Sequence, residues 1–223
     1  MQTKTTLSLL AALTLGLAAS LHADVITYAF DSDSKVPTTD TYADANGGTL
    51  TGVGFTLTDS NFGNPAPSVG APLDEIATNL DLATDYYTFT ISKDAGATDY
   101  GLASISFEYQ VNHSNTVHTT NFSLFSSVTG FSNAGQQIAS FEYDGTAGSA
   151  FLNTGTINLG ASFSGLTTDT EFRIYLDDNG SGSGATYAKI DNVSISAVPE
   201  PGTLALLGLS GLALLAGLRR RKA

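Results

Sequence analysis

Apolar residues recur at every second position through much of this chain. In the clearest run, Ala103, Ile105, Phe107, Tyr109 and Val111 alternate with Ser104, Ser106, Glu108 and Gln110. A period of two sends successive side chains to opposite faces, so this run predicts an antiparallel strand with one buried face. The same alternation appears at Ile26/Tyr28/Phe30, Val53/Phe55/Leu57, Tyr87/Phe89/Ile91, Phe122/Leu124, Ala139/Phe141/Tyr143, Ile157/Leu159/Ala161/Phe163, Phe172/Ile174/Leu176 and Val193/Ile195. Turn-forming clusters such as "ANGG", "NFGNPAPSVGAP" and "DDNGSGSG" separate these runs. About nine or ten strands without a helix among them predict an all-β fold, an antiparallel two-sheet sandwich of jelly-roll type. One stretch, Leu73 to Leu82, departs from the alternation and predicts a short helical turn. No fixed-period repeat is present, which excludes solenoids and propellers.

The two ends follow another pattern. Lys4 precedes an uncharged apolar run from Leu7 to Ala19, and small residues then lead to Asp24. That order predicts a secretory signal peptide over residues 1–23, cut after Ala23, with Ser20 as the alternative position. At the other end, Thr203 to Leu218 is uncharged and rich in Leu, Ala and Gly. As a helix it would cover roughly 24 Å at about 1.5 Å per residue, a little short of the ~30 Å hydrocarbon core. Flanking cations can snorkel to cover the difference, so a transmembrane helix over about 203–218 is expected, with a basic tail at 219–222. The Arg cluster places that tail in the cytoplasm and the body, residues 24–197, outside. Pro199 and Pro201 prevent a helix from running back into the body, leaving "VPEPG" as an extended joint.

In order, Val198, Pro199-Glu200-Pro201, an apolar helix and the cluster Arg219, Arg220, Arg221 resemble the PEP-CTERM sorting signal of exported Gram-negative proteins. A tail of this kind is also called the ice-binding protein C-terminal domain. The resemblance covers residues 198–223 alone. It implies a membrane-embedded sorting protease of exosortase type as partner, transient anchoring in the inner membrane, and release or re-attachment at the cell surface or in an extracellular matrix. An uncut single-pass anchor would share the same physics.

Charge narrows what the body can meet. Between Asp24 and Val198 the cations are Lys35, Lys93, Arg173 and Lys189, against twenty acids, a net −16. Such a surface repels nucleic acid and anionic lipid. The chain has no Cys, so neither a disulfide framework nor thiolate chemistry is available.

Several residues invite specific chemistry. Asp177, Asp178 and Asn179 near a Gly-rich loop, with Asp191 before the last strand, supply the hard oxygen ligands that calcium collects, although the same residue types also build turns. Tyr42, Tyr86 and Tyr100 are the expected exposed aromatics for stacking on a sugar, in a chain without Trp. The run "TYAKIDNVSISAV" resembles the last strand of jelly-roll carbohydrate-binding modules, which implies architecture and, through that family, a structural calcium. His113 and His118 read as hairpin residues without a third metal ligand of obvious spacing. The Thr-x-Thr pairs follow no regular interval that would build a flat ice-binding rank. No nucleophile elbow or phosphate loop is present. These readings predict a non-enzymatic exported surface or matrix protein, with a calcium-stabilised carbohydrate-binding module as alternative and a polysaccharide hydrolase, using paired carboxylates, behind it.

Overall fold

In a computed structural model, the protein is described over residues 25–30, 34–59, 68–112, 119–144, 150–178 and 187–198. Asp24–Ala197 forms one compact unit. Its strands are β1 (Val25–Tyr28), β2 (Thr39–Asp40), β3 (Ala45–Gly47), β4 (Thr51–Val53), β5 (Thr58–Asp59), β6 (Val69–Pro72) and β7 (Tyr86–Lys93). They continue with β8 (Leu102–Asn112), β9 (Thr119–Ser126), β10 (Ala139–Asp144), β11 (Leu152–Asn153), β12 (Ile157–Asn158), β13 (Thr170–Asp178) and β14 (Tyr187–Ala197).

These strands make two antiparallel sheets, as the alternation predicts. One has the order β11-β8-β14-β1-β2, with β12 beside β8, and β6 and β5 extending from β14. The other runs β10-β9-β13-β7-β3, with β4 also on β7. The predicted apolar faces meet between them: Phe107, Val111, Ile190 and Ile195 from the first sheet, Phe89, Ile91, Phe122 and Phe172 from the second. Aromatic rings take the place of Trp in this core. Phe89 stacks on Phe172 at 5.5 Å between centroids and packs against Tyr28 at 5.3 Å. Burying each such side chain is worth about 1.5–3 kcal/mol.

Polar atoms of the tyrosines tie the layers together. The Tyr28 hydroxyl donates to the Gly48 carbonyl at 2.8 Å, and the Tyr87 hydroxyl donates to the Ala188 carbonyl at 2.7 Å. Each joins one sheet to the other, and each satisfies a buried hydroxyl that would otherwise be costly.

Local departures from the alternation have local causes. The run through Val53, Phe55 and Leu57 stops being a strand at Val53, because Gly54 takes φ +89° and turns the chain. The run from Ile157 to Phe163 is strand only over Ile157–Asn158; Gly160 at φ +79° leads into a 3-10 turn at Ala161–Phe163. The expected helical turn is confined to Leu73–Glu75, of 3-10 type. β14 begins well before its predicted start, and a bulge at Asp191–Asn192, with Asn192 at φ +47°, resets its register on β8. Asn tolerates that left-handed conformation better than other non-Gly residues, which gives the "IDNV" run a conformational reason.

Among the described residues no helix is long and apolar enough to cross a membrane. The expected signal peptide, the 203–218 helix, Pro199, Glu200, Pro201 and Arg219 to Arg221 lie outside the described residues, as do Asn179, His113 and His118.

Candidate functional site

The solvent-side face of the second sheet carries a linked assembly of polar and aromatic side chains. Alternation on β13 puts Glu171, Arg173 and Tyr175 on this face, and register places Thr88 and Phe125 on either side of Arg173. The Arg173 guanidinium lies over two rings, 3.9 Å from the Phe131 centroid and 4.5 Å from that of Tyr86. Its Nε donates to Glu171 Oε1 at 2.7 Å, and Nη2 reaches Glu171 Oε2 at 3.3 Å. Nη1 donates to the Tyr175 hydroxyl at 3.0 Å, which in turn donates to the Leu82 carbonyl at 3.2 Å. One cation therefore clamps two loops onto the sheet, through Phe131 after β9 and Leu82 before β7.

The electrostatics follow from this packing. Partial burial works to raise the Glu171 carboxyl, but hydrogen bonds from Arg173 and Thr88 outweigh it and hold the group below the ordinary carboxylate range. Burial opposes the Arg173 charge, and the bonds to Glu171 and Tyr175 more than restore it, so the guanidinium stays cationic.

Beside the clamp runs a strip of hydrogen-bonding groups. Ser123 and Ser140 hydroxyls lie 3.2 Å apart across β9 and β10. The Gln137 amide donates to Ser123 Oγ at 3.0 Å, and Asn121 Nδ2 donates to Asp177 Oδ1 at 2.8 Å. Burial, countered by Asn121 and reinforced by Asp178, pushes the Asp177 carboxyl above its usual range.

The residues singled out from the sequence fall differently. Tyr42, Tyr86 and Tyr100 are not exposed platforms; they are buried, at 7%, 8% and 2% exposure. The Tyr42 hydroxyl donates to the Gly101 carbonyl and accepts from the Gly101 N–H, at 3.0 and 2.8 Å. The Tyr100 hydroxyl sits 2.7 Å from Thr170 Oγ1, and Tyr86 packs against Tyr175 beneath Arg173. Ring packing draws Tyr86 inward, and backbone acceptors satisfy the buried Tyr42 and Tyr100 hydroxyls.

Of the proposed calcium set, Asn179 lies outside the described residues, and the described members Asp177, Asp178 and Asp191 are each engaged separately. Asp177 and Asp178 are consecutive on a strand and so face opposite ways, Asp177 toward Asn121 and Asp178 inward, where Thr120 donates to it at 2.9 Å. Asp191 belongs to β14 in the other sheet, where its carboxylate accepts from the Asn192 N–H of the bulge at 2.7 Å. Among the described residues no group of three His, Asp or Glu is arranged to hold a metal ion.

Sequence reading passed over Arg173, Glu171 and Phe131. The first two were legible as opposite charges two apart on one strand face; Phe131, in a loop, gave no periodic signal.

The other functional feature is the end of the body. β14 runs to Ala197, beside β8 through Ala197↔Leu102 and beside β1 through Ser196↔Val25. A family model, described as the PEP-CTERM protein-sorting motif, matches residues 197–222 and so begins at that last strand residue. No curated protein matches the chain. Among solved structures, the carbohydrate-binding module TmCBM61 in complex with beta-1,4-galactotriose is similar at 11% identity and TM-score 0.30, over 67% of this chain and 87% of that one. The enzymatically active domain of bacteriophage CBA120 tailspike protein 4 is similar at 12% identity and TM-score 0.27, over 70% of this chain and 20% of that one. At these scores neither likeness bears on a ligand or an activity of this chain.

Proposed function

We propose, from the PEP-CTERM sorting motif that closes this chain, that the protein is an exported, non-enzymatic module of the bacterial surface or extracellular matrix, delivered by exosortase-type processing. The observation that carries this reading is the motif at 197–222, which begins at the last residue of the final strand of an all-β body. The body supplies what such a module needs. It has a Cys-free core closed by aromatic packing and by tyrosine hydroxyls that tie the sheets, and a surface whose net −16 keeps it soluble outside the cell. The sandwich reads as a jelly roll: β7 to β8, β8 to β9 and β13 to β14 each switch sheet, and β13 and β14 insert between strands not adjacent in sequence.

The test is the intact mass of the protein recovered from envelope and medium of its own host, with and without the sorting enzyme. A shortened C-terminus dependent on that enzyme is expected; a chain ending at Ala223 in both hosts would overturn the sorting reading.

A second reading, binding of an extracellular polysaccharide, is favoured by the outer face of the second sheet. There the amides of Asn121 and Gln137 and the hydroxyls of Ser123 and Ser140 lie in a strip beside Arg173. Retention of a glycan on an array by the purified body, lost in Asn121→Ala with Gln137→Ala, would support it; no retained glycan would remove it.

A further inference from the structure

Among the described residues, each sheet of the body is joined together through one of its last two strands. In the first sheet, β14 lies between β8 on one side and β1 and β6 on the other. In the second, β13 lies between β7 and β9. Without them, the described pairings leave β1 with β2, β5 with β6, β7 with β3 and β4, β8 with β11 and β12, and β9 with β10. Each of these groups is two strands wide, because β3 and β4 follow one another along one side of β7, and β11 and β12 along one side of β8. A two-stranded ribbon is marginally stable at best in water; a lasting sheet needs three or more strands with a covered apolar face.

The same two strands bring the middle of the core. Phe172, Ile174 and Leu176 of β13 and Ile190, Val193 and Ile195 of β14 are fully buried, and the Tyr87 hydroxyl has its acceptor in the Ala188 carbonyl of β14. Val25 pairs with Ser196, so β1 finds its partner only at the far end of the body. Contacts so distant in sequence carry the largest loop-closure cost and form slowly.

We propose that β13 and β14 act as closing strands, so that the body stays unfolded until the chain has emerged through Ala197 and folds only outside the cell. This rests on the export reading above. A channel that threads one extended chain cannot pass two packed sheets, which stand about 10 Å apart face to face. Placing the central strands last keeps the chain threadable for its whole passage.

The experiment compares two bodies behind the same secretory signal by pulse-chase: residues 24–197 in native order, and a circular permutant that begins at Gly165, joins Ala197 to Asp24 through a short glycine-rich turn and ends at Ser164. The pairing of Val25 with Ser196 puts the joined ends side by side, and Ser164 and Gly165 are exposed. In the permutant the two central strands are made first. Equal melting midpoints are expected for the purified bodies, with export of the permutant several-fold slower and a protease-resistant body accumulating inside the cell. Equal export rates at equal midpoints would overturn the inference.

Native-order chains ending at Asp169 or Asp178 give a second measurement, which decides the matter if the permutant melts lower than the native order. Both are expected to be digested as fast as the denatured body, and a protease-resistant core in either would overturn the inference. A native-order body that is never exported would overturn the export reading instead, while the shortened chains would still test the folding order.

Discussion

The Tyr87 hydroxyl and the Ala188 carbonyl meet at 2.7 Å across the interior of the sandwich, joining β7 of one sheet to β14 of the other. Tyr87 is fully buried, so its hydroxyl can be satisfied only by a partner inside the protein. Tyr87→Phe keeps the ring and removes the bond. The expected cost is about 1 kcal/mol, read as a lower denaturation midpoint with an unchanged slope. A midpoint equal to that of the parent would show that the bond contributes nothing net.

Buried tyrosines also set the alkaline limit. Burial raises Tyr28, Tyr87, Tyr100, Tyr109 and Tyr175 above their ordinary value of 10.0. A folded-state value raised above the unfolded one gives stability that is complete below pH 10.0 and is lost as pH climbs beyond it, because the unfolded chain releases those protons first. Lys189, lowered by burial, acts in the opposite direction, as one group against five. Thermal melts are therefore expected to fall steeply above pH 10, with Tyr28→Phe and Tyr87→Phe softening the fall.

On the acid side the Glu171–Arg173 pair carries the opposite sign. Glu171 is held below its ordinary 4.5, so its contribution is present above that pH and is lost as pH falls through the lower folded value. Glu171→Gln should flatten the loss of stability below about pH 4.5 relative to the parent. Asp177, raised by burial, runs the other way in both proteins and cancels in the comparison. Acid melts that superimpose would remove the pair from the account.

Arg173 also stacks, and a Lys cannot replace that. Arg173→Lys keeps the charge but gives up the flat contact with Tyr86 and Phe131 and the two-point bond to Glu171. A loss of about 1–2 kcal/mol is expected, together with faster proteolytic nicking of the loop carrying Phe131. Equal nicking in variant and parent would show that Arg173 does not hold the loop.

Two glycines separate backbone strain from crowding. Gly54 and Gly160 both have positive φ, but a Cβ at Gly54 would lie 2.0 Å from Thr84 Oγ1 and 2.3 Å from Asp85 Oδ1, whereas one at Gly160 meets nothing within 4 Å. Gly160, at φ +79° and ψ −177°, holds a conformation open essentially to glycine alone, so Gly160→Ala should cost about 1–3 kcal/mol from the backbone alone. Gly54→Ala adds an overpacking cost of about 1–3 kcal/mol to its own backbone one; a midpoint equal to the parent's would refute the crowding argument.

Much of this protein was already determined by its sequence. Alternation at Ala103 to Val111 sufficed to specify a strand, because a side chain's face depends only on its position along an extended backbone. The order of Pro199, Glu200, Pro201, apolar run and Arg219 to Arg221 sufficed to mark a sorting signal, since that signal is a linear feature. Tertiary structure decided what depends on neighbours distant in sequence. Tyr42 and Tyr100 look exposed by their turn-rich surroundings, and they are buried because Gly101 and Thr170 come from elsewhere to bond their hydroxyls. Asp177, Asp178 and Asp191 look like a ligand set, and pleating with sheet assignment parts them. Arg173 becomes a clamp only because pairing of β13 with β7 and β9 brings Tyr86 and the Phe131 loop against its guanidinium. Periodicity reports a direction from the backbone, and it carries no information about which other segment will be waiting there.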